Sequence, residues 1–254
     1  LGDAQFAADR EAVLDRAMKD GVTHIVEIAD APAEWDAAVA LSRARPAQVR
    51  CSLGLHPYYA DQFTEELVSH LEKKMALPEV VAIGEIGLDY VKTALSKEVQ
   101  STALERLLRA AITWDKPVVV HCRGAYDDLR AVLEPVYHGQ VKKSRFWGVV
   151  HCFSGSAQDA LFCRDLGFAL GVDGPVTYPK NDALREALRQ AGSECVVLET
   201  DSPYLPPQSS RGKRNEPSSI PEIGQALAKT LGVSPEELAA ATSRNARELF
   251  RLAR

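Results

Sequence analysis

Pro117-Val118-Val119-Val120-His121-Cys122-Arg123 is a short β-branched run that stops at an imidazole and a guanidinium, and the amphipathic stretch Tyr126 to Tyr137 follows it. That is one strand-then-helix unit, and the same alternation runs along almost the whole chain, the pattern of βα units around a parallel sheet. It predicts strands over Val22 to Ile28, Val49 to Leu53, Val80 to Gly84, Pro117 to His121, Trp147 to His151, Phe168 to Val172 and Cys195 to Glu199. Helices are predicted over Ala33 to Ala44, Glu65 to Met75, Lys97 to Trp114, Tyr126 to Tyr137, Ala157 to Leu166, Asp182 to Gln190, Ile220 to Leu231 and Pro235 to Leu252. At 254 residues the chain suits a (β/α)8 TIM barrel or a large doubly wound sheet, one domain over 1-254, and the barrel is the expected fold. Asp3 to Asp20 reads as a helix with Asp3 as its N-cap, yet no strand precedes it, so the first strand of the barrel is expected to be missing from the chain. A barrel without one strand exposes two unpaired edges, which points to a short N-terminal segment beyond Leu1.

Composition narrows the function classes. A hydrophobic share of 46% and a charged share of 26% are those of a globular protein. No apolar run is long enough to span a bilayer and the N-terminus lacks a signal-peptide layout, so the expected compartment is the cytoplasm. Cys51, Cys122, Cys152, Cys163 and Cys195 are an odd number, and all but Cys163 lie in strand-like apolar runs, against a disulfide framework. The net charge of -5 excludes a generally basic surface, so contact with nucleic acid must come from a local cluster of Lys and Arg.

In a (β/α)8 barrel, active sites are built where the strands end at their C-terminal side. Five predicted strands end in polar residues: Gly-Leu-His56-Pro, Gly-Glu85-Ile-Gly-Leu-Asp89-Tyr, His121-Cys-Arg123, His151-Cys-Phe-Ser154 and Glu199-Thr-Asp201-Ser. Singly, a His there reads as a hydrogen-bonded structural residue and an Asp as a helix cap. As a set, imidazoles and carboxylates at several strand ends make a mixed N/O site for Zn, Mn or Mg. Neighbouring strand residues face opposite ways, so Cys122 and Cys152 are poor ligand candidates beside His121 and His151. Glu199 and Asp201 share parity, with Asp201 nearer solvent as the ligand and Glu199 as its supporting carboxylate. His24, His70 and His138 read as structural. Arg123, Lys180 and the loop cluster Arg211, Lys213 and Arg214 suit a phosphate-bearing substrate, alongside Ser154; Tyr58, Tyr90 and Tyr204 follow strand ends, as rim cover or stacking surfaces.

This ordered series resembles the TatD deoxyribonuclease family, a branch of the amidohydrolase-like metal-dependent hydrolases. The residues that carry the likeness are Gly54-Leu-His56-Pro57, Ala82-Ile-Gly-Glu85-Ile-Gly-Leu-Asp89-Tyr90, Pro117-Val-Val-Val-His121-Cys-Arg123, His151-Cys-Phe-Ser154-Gly155, Glu199-Thr-Asp201-Ser-Pro203-Tyr and Arg214-Asn-Glu-Pro217. The resemblance implies a deoxyribonuclease working from the 3′ end of single-stranded DNA with two divalent ions, Mg, Mn or Zn. It implies that Glu85 bridges the two ions, that His121 and His151 ligate one of them, and that Asp201 is a ligand that also holds the attacking water. His56 would orient substrate, and Arg123, Lys180 or Arg214 would neutralise phosphates. The family also carries a His-x-His pair ending a first strand, and this chain starts after that place. It further departs at Val91-Lys92, where the family has an aromatic and an Arg. A monomer is expected. Two rival readings stand beside this one: a barrel hydrolase acting on a carbon centre (lactonase, amidase or aminoacyl-tRNA deacylase), and an inactive protein binding one metal.

Overall fold

Most of the β-branched runs become strands where the alternation places them. The structure is a computed structural model that describes residues 1–252. Two compact units emerge, one built from His24–His151 with Leu249–Arg251, the other from Leu1–Thr23, Cys152–Glu248 and Leu252.

The first of these holds β1 (Ile25–Ala29), β2 (Val49–Leu53), β3 (Val80–Asp89), β4 (Val118–Arg123) and β5 (Gly148–Val150), paired in parallel in chain order. Helices α2 (Trp35–Ala44), α3 (Glu65–Met75), α4 (Lys97–Thr113) and α5 (Tyr126–Tyr137) connect them. Parallel strands need such crossovers, and two of these helices, α3 and α4, start at side-chain caps: Thr64 accepts from the Leu67 N–H and Ser96 from the Val99 N–H. Val80, Ala82, Ile83, Ile86, Leu88, Val118, Val119 and Val120 are buried, as expected for strands covered on both faces.

Here β3 departs from expectation. The sequence predicts a stop at Gly84, but the strand runs on to Asp89, and its register against β4 shifts between Ile83 and Ile86. Such a bulge gives β3 an extra residue, bends it and re-aims the side chains beyond it. Past the bulge, Gly87 lies opposite His121 and Asp89 opposite Arg123.

The second unit contains α1 (Arg10–Lys19), α6 (Ala157–Leu166), β6 (Phe168–Val172), α7 (Asp182–Ala191), β7 (Val196–Leu198), α8 (Ile220–Leu231) and the part of α9 (Pro235–Phe250) up to Glu248. β6 and β7 pair in parallel, Leu170 opposite Val196. Helix α6 begins with a full capping box between Ser156 and Asp159 and ends at Gly167 in the left-handed conformation. The single helix expected over Asp3 to Asp20 is instead a 3-10 turn, Ala4–Phe6, capped by Asp3, followed by α1. The physical reason is non-local. Asp9, at the break, is held by Arg214 and Arg16 rather than by the helix. Among the described residues, no helix is long and apolar enough to cross a membrane.

Candidate metal centre

The bulge on β3 decides what stands beside His121. Glu85, Gly87 and Asp89 alternate along one strand; Gly87 has no side chain, and the imidazole of His121 on β4 meets both flanking carboxylates. His121 Nδ1 lies 2.7 Å from Glu85 Oε1, and its Nε2 lies 3.2 Å from Asp89 Oδ2. A neutral imidazole has one N–H, so it satisfies one carboxylate and turns a lone pair on the other. A second ring proton, or a metal cation at that lone pair, removes the conflict. Donor atoms of His56, Glu85 and His121 lie within 4.8 Å of one another and all three residues are buried or nearly so; with the Nδ1 lone pair of His56 taken up by the Tyr58 N–H, Glu85 and His121 are the pair left to hold a divalent ion.

Each of these groups is held from behind. Asp89 Oδ1 accepts the N–H groups of Val91 and Lys92, both at 2.8 Å, which reserves Oδ2 for His121. The buried Gln100 of α4 clamps the Asp89 backbone, accepting its N–H and donating to its carbonyl. Arg123 Nη1 stands 3.6 Å from Asp89 Oδ2. His56 caps the 3-10 turn Pro57–Gln62, its Nδ1 accepting the Tyr58 N–H at 3.2 Å, while Nε2 points toward Glu85 Oε1 at 3.9 Å.

Burial works against ionisation of Glu85, but the charge of His151, the hydrogen bond with His121 and the charges of His121 and His56 outweigh it and hold the carboxyl at about 2. For Asp89, burial is likewise overcome by the Lys92 and Val91 N–H groups and by His121, so its pKa lies below the usual carboxylate range. Burial pushes the imidazole of His56 down to about 4, against the opposing pull of Glu85.

The other unit has its own carboxylate group. Cys152, with a left-handed φ of 45°, donates its N–H to Glu199 Oε1 at 2.5 Å and its thiol to Asp173 Oδ2 at 3.2 Å. Burial, followed by the charges of Asp173, Glu199 and Asp201, pushes the thiol well above its ordinary value, so it stays a protonated donor. The Asp201 carbonyl accepts the Tyr204 N–H at 2.5 Å.

The first unit thus brings together Glu85, His121 and His56, with His151 near enough to act on both Glu85 and His56 electrostatically. Asp89 was not among the residues expected to act, although it shares parity with Glu85 and ends the same strand. Ser154 and Lys180 are exposed, in the other unit. Arg214, expected to meet substrate, has its guanidinium bonded to Asp9 Oδ1 and Oδ2 (2.9 and 2.7 Å), Glu216 Oε1 (2.7 Å) and the Gln5 carbonyl (2.6 Å), and lies over the Phe6 ring.

Comparison with known proteins gives the family. The sequence model described as TatD related DNase matches residues 1–251. The chain belongs to the TatD family. It is 37% identical to a protein named 3'-5' ssDNA/RNA exonuclease TatD from Pantoea vagans (strain C9-1), an alignment covering 100% of this chain and 97% of that one. It is 32% identical to an uncharacterized metal-dependent hydrolase, YabD, from Bacillus subtilis (strain 168), over 99% of this chain and 96% of the other. Among solved structures, YJJV, a TatD homolog from Escherichia coli K12, superposes with a TM-score of 0.90 at 30% identity, covering 99% of this chain and 95% of that one. The fold is therefore the TIM-barrel-like fold of the TatD family, and the chain is a metal-dependent hydrolase acting on ester bonds.

The lowered pKa of His56 has a consequence for the metal-free protein. Between the ordinary value of 6.5 and about 4, the unfolded chain takes up a proton that the folded one refuses. Stability is therefore full above pH 6.5 and falls as the pH drops through that window, by about 3 kcal/mol. Glu85 adds a loss of the same sign below 4.5. Urea midpoints in EDTA at pH 7, 5.5 and 4.5 should fall accordingly, and His56→Gln should remove most of the fall above pH 4.5. Identical midpoints at pH 7 and 4.5 would refute this account.

Proposed function

We propose that this TatD-family hydrolase is a divalent-metal-dependent nuclease that removes nucleotides from the 3′ end of single-stranded DNA. The observation that carries the reading is His121 held between Glu85 and Asp89, an arrangement suited to a cation. The name and 37% identity of the Pantoea relative support the substrate class. Glu85, His121, His151 and Asp201 would hold two ions, Mg, Mn or Zn, with Asp89 completing the oxygen donors. Asp201 and His151 are assigned on their motifs. When bound, the ions supply Lewis acidity at the scissile phosphate.

The side chains divide the remaining work. The Tyr58 N–H donates to His56 Nδ1, so the proton of the neutral ring sits on Nε2. His56 is thereby a donor rather than a ligand, and it orients substrate by giving that proton to a phosphate oxygen. Its depressed pKa keeps it neutral at pH 7. Asp201 accepts the proton of the attacking water, and Glu199, fixed by the Cys152 N–H, supports it. Arg123, Ser154 and Lys180 contact the phosphate backbone. The sequence acts as one domain over 1-254, as a monomer in the cytoplasm.

A 3′-labelled single-stranded DNA incubated with Mg, Mn, Zn or EDTA tests the reading. Metal-dependent release of 3′ nucleotides, abolished by EDTA and falling with salt, is expected. No cleavage under any metal, with turnover of a lactone or carboxylic ester instead, would move the assignment to a carbon centre.

A further inference from the structure

The chain is acidic overall, yet two loops of the Cys152–Glu248 unit, residues 174–181 and 202–215, contain no Asp or Glu. They carry Lys180, Arg211, Lys213 and Arg214 together with Tyr178 and Tyr204. The loops are bonded into one surface. The Gln208 N–H donates to Thr177 Oγ1 at 2.8 Å, and the Tyr178 hydroxyl donates to the Pro206 carbonyl at 2.8 Å. With its hydroxyl tied down, the Tyr178 ring is a fixed platform, and the Arg211 guanidinium lies over it, 4.4 Å from the ring centre.

Three of these cations lack a carboxylate partner, unlike most arginines of the unit, and they are gathered on two bonded loops that hold no acidic residue. Arg164, Arg185, Arg189 and Arg244 each pair with an acidic side chain, and Arg214 is taken up by Asp9 and Glu216. Lys180, Arg211 and Lys213 are exposed and form no ion pair among the described residues. A cation that folds without a partner keeps its field for an anion from outside. Arg211 is also pre-ordered: one face of its plane rests on Tyr178, which leaves the other face for a base and its edge for phosphate. Tyr204, 57% exposed, offers a second ring, and it stands three residues after Asp201, whose carbonyl holds its N–H.

We infer that loops 174–181 and 202–215 form a subsite for the part of a single-stranded nucleic acid beyond the nucleotide being removed. Arg211 is sandwiched between Tyr178 and a base with its edge on a backbone phosphate, and Lys180 and Lys213 take two more phosphates. Hydrolysis is not needed for this binding, but the position of the strand's 3′ end rests on the nuclease reading. Stacking on a fixed plane tolerates any base, so the subsite contributes affinity and strand grip rather than sequence preference.

The test is fluorescence anisotropy in EDTA with a labelled oligothymidylate of about 12 nucleotides, within the length such surfaces bind. It compares wild type, K180A/R211A/K213A, Arg211→Lys, and K19A/K73A/K229A, a control that removes the same charge from lysines elsewhere. The loop triple variant should bind about tenfold more weakly or worse. Its log-log salt dependence should be shallower by about 2, three phosphate contacts at about 0.7 each. Arg211→Lys, keeping the charge but losing the plane, should fall in between, and the control should match wild type. Equal losses in both triple variants, an unchanged salt slope, or no strand binding by wild type would overturn the subsite. Wild type that binds the strand normally but hydrolyses neither it nor bis(4-nitrophenyl) phosphate with any metal would overturn the nuclease reading alone.

Discussion

Alanine at position 121 should lower metal-dependent hydrolysis of single-stranded DNA at least about 100-fold, because removing even a partner of a metal ligand costs about 10- to 100-fold and His121 contacts both carboxylates directly. Without the ring, Glu85 and Asp89 lose the group that separates their charges, although Asp89 keeps its backbone supports. Bound metal should fall with activity, read by elemental analysis after dialysis. Far-UV circular dichroism should stay at wild type, because β4 is held by its pairing with β3 and β5. Full activity with full metal content in His121→Ala would remove the ring from the centre. Normal metal content with lost activity would place it in substrate handling instead.

How much of this could be read from sequence depends on how local each cause is. β2 and β6 fall on the predicted Val49 to Leu53 and Phe168 to Val172, because a short apolar run between turn and polar residues carries its own boundaries. His121 at the end of a strand was visible for the same reason. The continuation of β3 past Gly84 was not. Two glycines break the apolar pattern there, and only pairing with β4 shows that they continue the strand. The bulge between Ile83 and Ile86 re-aims the residues beyond it, and the contact of Asp89 with His121 was therefore not legible in the sequence. The pairing of Arg214 was hidden by distance along the chain. Its partner Asp9 is 205 positions away, and nothing in the basic loop marks this guanidinium as already paired inside the fold. Lys180, Arg211 and Lys213 look identical to Arg214 in the sequence; their lack of carboxylate partners is a property of the folded unit.

The largest effect on stability is expected from Gly87→Ala. A Cβ on Gly87 would lie 2.0 Å from the His121 carbonyl oxygen and 2.8 Å from its backbone N and C, all main-chain atoms that cannot swing aside. The φ of 155° at Gly87 adds conformational cost for any L side chain. β3 and β4 can admit the methyl only by separating at the pair that sets Glu85 and Asp89 around His121. The cost should reach about 3 kcal/mol or more, combining overpacking with backbone strain. For a protein of this size that lowers the melting midpoint by roughly 6 to 12 °C. Gly139→Ala is the control, since Gly139 has a φ of 75° but no atom within 4 Å of a new Cβ. It should cost about 1 kcal/mol through backbone strain alone. Urea midpoints of the two variants separate the causes: if Gly87→Ala shifts no further than Gly139→Ala, the close approach of β3 to β4 does not constrain the metal centre. If it shifts further and metal affinity falls with it, the spacing of Glu85, His121 and Asp89 is set by the backbone contact at Gly87.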